Sequence, residues 1–137
     1  MLRNVYEAHE DNGEKVISDW KFYKTQEAQL DNKLHMLRIV EVNPVTRKAE
    51  CPQDVLAGPG VYGQKWIYKL KTKGNVALRP MVCLGPIFSD EEWTVLVRAI
   101  EKDNKLTPAD AADVAETRRV EIQNNARNRA LMIKDQS

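Results

Sequence analysis

The residues of this chain best suited to chemistry are basic, and they recur at strand spacing. Lys65, Lys69 and Lys71 share one parity in VYGQKWIYKLK; Arg79 lies in NVALRPMVCL; Arg98 and Lys102 lie in WTVLVRAIEK, with Lys105 just beyond. Successive side chains of a strand point to opposite faces. Lys65, Lys69 and Lys71 therefore oppose Trp66, Tyr68 and Leu70. Arg79 sides with Ala77, Met81 and Cys83 against Val76, Leu78, Val82 and Leu84. Arg98 and Lys102 side with Thr94, Leu96 and Ile100 against Trp93, Val95, Val97 and Ala99. The second face carries no carboxylate within the runs. Burying that many unpaired cations costs several kcal/mol each, so the face must meet water or an anion. Cations aimed at developing charge, beside a group that moves protons, are what in-line attack on a phosphodiester requires.

Two plainer readings of the same residues stay open. A half-buried antiparallel sheet normally presents one polar, solvated face, and Arg79 can pair with a carboxylate such as Glu101 or Glu92. Trp66, Tyr68 and Trp93 have rings that stack on bases, but their parity assigns them to the apolar face and hence to the core. Trp20 is expected there too. The cluster of Arg118, Arg119, Arg127 and Arg129 reads as a second RNA contact, a partner-binding tail or ordinary helix solvation, the last for Arg118 and Arg119.

The elements that must position these groups follow from periodicity and punctuation. Residues 61–71, 75–84 and 93–102 alternate with period two and are separated by Gly, Pro and Asn, which predicts a three-stranded antiparallel meander. Residues 2–8 are a possible first strand. Residues 14 to about 24 carry Val16, Ile17, Trp20 and Tyr23 at helical spacing, and 26–40 carry Leu30, Leu34, Leu37 and Val40, with Pro44 as the stop. After the meander, Thr107 as N-cap, Pro108 at the first helical position and Asp110 as the acid open a helix running to about Asn124. Its apolar side is Ala111, Ala112, Val114, Ala115 and Ile122. The expected fold class is α+β: an antiparallel sheet of three to four strands packed against two N-terminal helices and a C-terminal helix. Residues 1–124 form a single domain in this reading, and 125–137 a flexible tail.

Composition narrows the function classes. A chain of 137 residues with 42% hydrophobic and 30% charged residues suits one globular domain with a real core. A net charge of +1 means that any polyanion partner must be recognised by local, not global, charge. Two cysteines, Cys51 and Cys83, are too few for a disulfide framework and lie in no metal motif. His9 and His35 are isolated, so no metal site or cofactor is expected. No apolar run reaches bilayer length and no signal-peptide core is present; the expected location is the cytoplasm, without a membrane partner.

Several short motifs, taken in order, resemble the RelE/ParE superfamily of bacterial toxins, including its phage-encoded members. They are the Gly60-Val61-Tyr62 lead-in to the sheet, Leu78-Arg79-Pro80 on a central strand, the apolar last strand of residues 95–102, and the helix with Ala111-Ala112, Ala115 and Arg118-Arg119. The resemblance spans roughly residues 16–119. It implies a RelE-like fold and a type II toxin held by a cognate antitoxin protein. It implies an endoribonuclease that cuts mRNA on the ribosome by 2′-hydroxyl attack, without a small-molecule cofactor. By position it assigns Arg79, Lys71 and Lys102 to catalysis and Lys65, Lys69, Arg98 and Lys105 to the RNA phosphates. The last strand and final helix lack the tyrosine or histidine usual in the family's nucleases, leaving proton transfer to a lysine or Glu101. The alternative within the same superfamily is a non-nuclease protein that inhibits a host target such as DNA gyrase by binding.

Overall fold

The computed structural model describes residues 2–88 and 90–134, apart from the side chains of Phe22, Tyr23 and Thr25. Tyr23 of the expected first helical stripe and residues 135–137 of the expected tail lie outside the described set. In chain order the strands and helices are β1 (Asn4–Ala8), α1 (Glu27–Leu37), β2 (Leu56–Ala57), β3 (Ile67–Leu70), β4 (Ala77–Leu78), β5 (Met81–Leu84), β6 (Glu92–Val97), β7 (Ile100–Lys102), β8 (Lys105–Thr107), α2 (Ala111–Asn124) and β9 (Arg129–Ile133). Six strands form one sheet in the order β2-β3-β5-β6-β1-β9, and β4-β7-β8 form a second, small one. The class is α+β. No helix among the described residues is long and apolar enough to cross a membrane.

The meander is present, in broken form. β3, β5 and β6 pair antiparallel as expected. The run of residues 75–84 splits because Pro80 has no N–H for a ladder; Arg79 N–H turns to Ala99 O at 2.8 Å instead. The run 93–102 splits opposite it, at Arg98-Ala99, so that β7 leaves the large sheet and pairs with β4. The expected antiparallel sheet of three to four strands is instead a mixed six-stranded one, because β1 lies parallel to β6, with Val5 opposite Trp93. Alternation marks a strand and its two faces; it does not say which neighbour the strand finds.

The helices differ as well. Residues 14–24 do not form an α-helix. The buried Glu7 carboxylate of β1 takes the N–H groups of Ile17 (2.9 Å) and Ser18 (2.8 Å) and the Ser18 hydroxyl (2.5 Å). That removes donors an α-helix would need, and a 3₁₀ helix follows only at Lys21–Gln26. Val16, Ile17 and Trp20 are still buried. The expected Thr107 cap belongs to β8, and Asp110 stands at the N-cap of α2 without a side-chain cap bond.

Every residue of β5 and β6 is buried, so this is not a half-buried sheet. α2 packs on β6, β5 and β3, and Leu30, Leu34 and Leu37 of α1 join the same core at 0% exposure. Tyr68 and Trp93 meet edge to face at 5.0 Å. Cys83, wholly buried in β5, is a free thiol pushed up to about 12 by desolvation.

Residues 125–134 are no detached tail. β9 pairs antiparallel with β1, and Arg129 is held in the core. Its guanidinium meets both Glu92 carboxylate oxygens, donates to Thr94 Oγ1 at 3.1 Å and lies 3.7 Å over the Tyr6 ring. Both ionic partners are almost fully buried, at 5% and 3% side-chain exposure. Breaking such a pair strands a desolvated charge, at about 3–5 kcal/mol. We expect Arg129→Ala, and equally truncation after Asn124, to lower unfolding stability by that amount in denaturant titration. A truncated chain as stable as the full one would show that β9 is dispensable.

Candidate nucleic-acid interface

The broken strands rearrange the basic residues that the sequence placed on one face. Lys69 and Lys71 lie at the C-terminal end of β3, Arg79 in the break between β4 and β5, and Glu101 on β7. Glu101 sits opposite Ala77 in register, which brings its carboxylate to Arg79: Nε to Oε2 is 3.2 Å. Arg79 Nη1 also donates to Thr72 O (2.7 Å) and Leu78 O (3.0 Å). The arginine is 15% exposed and is a fixed, paired cation rather than an open phosphate receptor. The premise of a carboxylate-free face fails here, because the chain break at Arg98-Ala99 changes the parity of everything after it.

Lys71 donates its backbone N–H to Val55 O at 2.8 Å, and among the described residues its side chain makes no ion pair or hydrogen bond. Its pKa is lowered from the ordinary 10.5, chiefly by desolvation and then by the cations Lys69 and Arg79, against weaker pull from Glu101 and Asp54. An amine held near like charges is easier to deprotonate and better suited to proton transfer.

Tyr62 completes the cluster, and the sequence reading did not pick it out. It occupies a left-handed conformation at φ 52°, between Gly60 and Gly63, also at positive φ. Such backbone is uncommon for a bulky residue and marks sites where the surroundings dictate the position. The ring is 54% exposed, and its hydroxyl accepts from Lys69 Nζ at 2.9 Å. The glycine-flanked tyrosine was the available signal.

Lys102 and Lys105 face each other directly across the β7–β8 hairpin, and both are exposed. Like charges directly opposite destabilise a hairpin unless an anion lies between them. Lys65 is exposed beside Trp66, its Nζ 4.7 Å from the ring centroid.

Arg98 is elsewhere. Its guanidinium meets Glu10 (3.1 Å) and Glu14 (3.2 Å) and donates to the carbonyls of Val16 and Lys15. Glu10 also takes Arg118 at 2.7 Å; Arg118 is buried and donates to Leu96 O at 2.9 Å. Arg98 and Arg118 therefore tie the loop after β1 to the sheet and α2, and neither is a solvated cation. Arg119 is likewise paired, bidentately, with Glu116. Among the described residues no group of three or more His, Cys, Asp or Glu is placed to hold a metal ion.

The sign of the Lys71 shift gives a test. Competitive acylation of the native protein across pH should yield a Lys71 midpoint below 10.5, and Lys69→Gln should move it upward. A midpoint at 10.5 or above would contradict the clustering. No family model, curated protein or solved structure matches the chain.

Proposed function

We propose that this chain is a cytoplasmic toxin of the RelE/ParE kind, with a RelE-like fold, that cleaves mRNA on the ribosome and is restrained by a cognate antitoxin. The observation that carries the reading is Lys71: an unpartnered, partly desolvated ammonium whose pKa is lowered beside Lys69 and Arg79. The element order is compatible with it: β1, α1, the broken meander and α2 follow one another, with one N-terminal α-helix in place of the expected two.

In this mechanism the phosphodiester lies over Lys69 and Lys71, with Lys102 and Lys105 holding flanking backbone. Neutral Lys71 accepts the ribose 2′-hydroxyl proton as that oxygen attacks phosphorus. The bond to the 5′ oxygen breaks and the departing oxygen takes a proton from the Lys69 ammonium. A cyclic 2′,3′-phosphate and a 5′-hydroxyl result. Arg79, oriented by Glu101 and two carbonyls, supplies a fixed positive field that costs no reorganisation.

The Arg79–Glu101 pair favours a second reading: a protein of the same superfamily that inhibits a host target, such as DNA gyrase, by binding alone. Mapping transcript 5′ ends after induced expression separates the two. Cleavage predicts discrete cuts within translated messages, and Lys71→Gln should reduce them about a hundredfold or more, the usual loss when a general base is removed. Uncut transcripts together with loss of gyrase supercoiling activity would reverse the choice.

A further inference from the structure

Of the three tryptophans, Trp20 and Trp93 are core residues at 5% and 0% exposure, whereas Trp66 stands 37% exposed. The parity argument that assigned Trp66 to the core fails because β3 begins only at Ile67. Trp66 lines a cleft of about 190 Å³ together with Arg47, Tyr68, Leu84, Pro86, Arg119 and Gln123. Three cations surround its ring: Lys65 at 4.7 Å, Arg47 at 5.7 Å and Arg119 at 6.0 Å from the centroid.

The cleft is built rather than incidental. Arg47 sits in the left-handed region at φ 64°. Its N–H donates to Asn43 O at 2.8 Å and its carbonyl accepts from the buried Tyr68 hydroxyl. Arg119 is fixed by both oxygens of Glu116, at 2.8 and 2.6 Å, which neutralises its charge and holds its plane. Among the described residues Arg47 has a loose ion-pair contact to the exposed Asp90, at 3.8 Å, beside its contact to Tyr68, and Lys65 has no ion pair. Two cations therefore remain for an anion beside an accessible indole.

We infer that this cleft seats an unpaired base of single-stranded RNA, stacked on Trp66, with its phosphate taken by Arg47 and Lys65. A stacking platform flanked by cations is the usual chemistry of single-strand recognition, and a guanidinium or indole face accepts any base. Continuity argues for a strand over a free nucleotide. Lys69 lies within β3 and Lys71 just past its end, and over the residues from Trp66 to Lys71 an extended chain at about 3.3 Å rise per residue spans roughly 15 Å, the reach of a few nucleotides. The inference rests on the RNA reading above and gives the substrate a register on the sheet.

The test is titration of the full chain with a short single-stranded oligoribonucleotide carrying 2′-O-methyl groups, which cannot be cleaved by 2′-oxygen attack. Tryptophan fluorescence and anisotropy of a labelled oligomer are read together. Binding should quench the accessible Trp66 emission; Trp66→Leu should abolish the quench and weaken Kd about tenfold, and Trp66→Phe should retain most of the affinity. Lys71→Gln should weaken binding yet keep the quench at saturation. Binding that depends on Lys71 but is indifferent to Trp66→Leu overturns the cleft while leaving the RNA reading intact. No binding of the oligomer, or equal affinity for a mononucleotide, overturns the strand assignment, and transcript mapping decides the cleavage reading separately.

Discussion

The fold turns on the cost of desolvating charge in a sheet covered on both sides. Because β5 and β6 are buried throughout, an ionisable side chain within them must either bring its partner or be displaced. Glu92 and Thr94 stay because Arg129 reaches them from β9. Among the described cations near the sheet, Arg79 and Arg98 lie at strand breaks, Lys102 and Lys105 on the small β4-β7-β8 sheet, and Arg118 and Arg119 on α2, paired with Glu10 and Glu116. Removing one partner of a buried pair costs far more than an exposed pair ever contributes. The distribution of charge is thus a consequence of packing before it is a matter of recognition.

That ordering explains why the basic cluster is compact. The strand breaks at Arg79-Pro80 and Arg98-Ala99 return two segments to a separate sheet, where Glu101 meets Arg79 and where the Lys102–Lys105 pair projects. Lys69, Lys71 and Tyr62 approach from β3 and the turn before it. Lys69, Lys71 and Arg79 against the carboxylates of Glu101 and Asp54 leave a local positive excess that a chain of nearly balanced composition does not reveal. Fields of this kind act over a Debye length or so, so the placement matters more than the total.

Much of the frame was legible in the sequence. β1, α1, the antiparallel core of the meander and the end of α2 at Asn124 sit where periodicity put them. The exceptions have identifiable causes. Residues 14–24 carry a helical pattern, but the single buried carboxylate of Glu7, on β1, outcompetes the helix for its N–H groups. Trp66 was misassigned because parity counts through a strand only while the strand is continuous, whereas the Arg79–Glu101 pair was one of the readings left open by the sequence. Arg98, Arg118 and Arg129 looked like free cations because their partners, Glu10, Glu14 and Glu92, lie far away in sequence. Lys69, Lys71 and Arg79 do lie together, and the Lys71 pKa is lowered by desolvation first and then by both neighbours.

The position of β1 has a consequence for biosynthesis. Among the described strands it is made first, yet both of its neighbours, β6 and β9, come from the far part of the chain. While translation proceeds, its two edges offer unsatisfied amides and carbonyls to any passing strand, and the short local pairings of β2, β3 and β5 can form before it is enclosed. Long-range closure of this kind is slow. The nascent chain thus passes through a stage in which β1, an interior strand of the finished sheet, has both edges open.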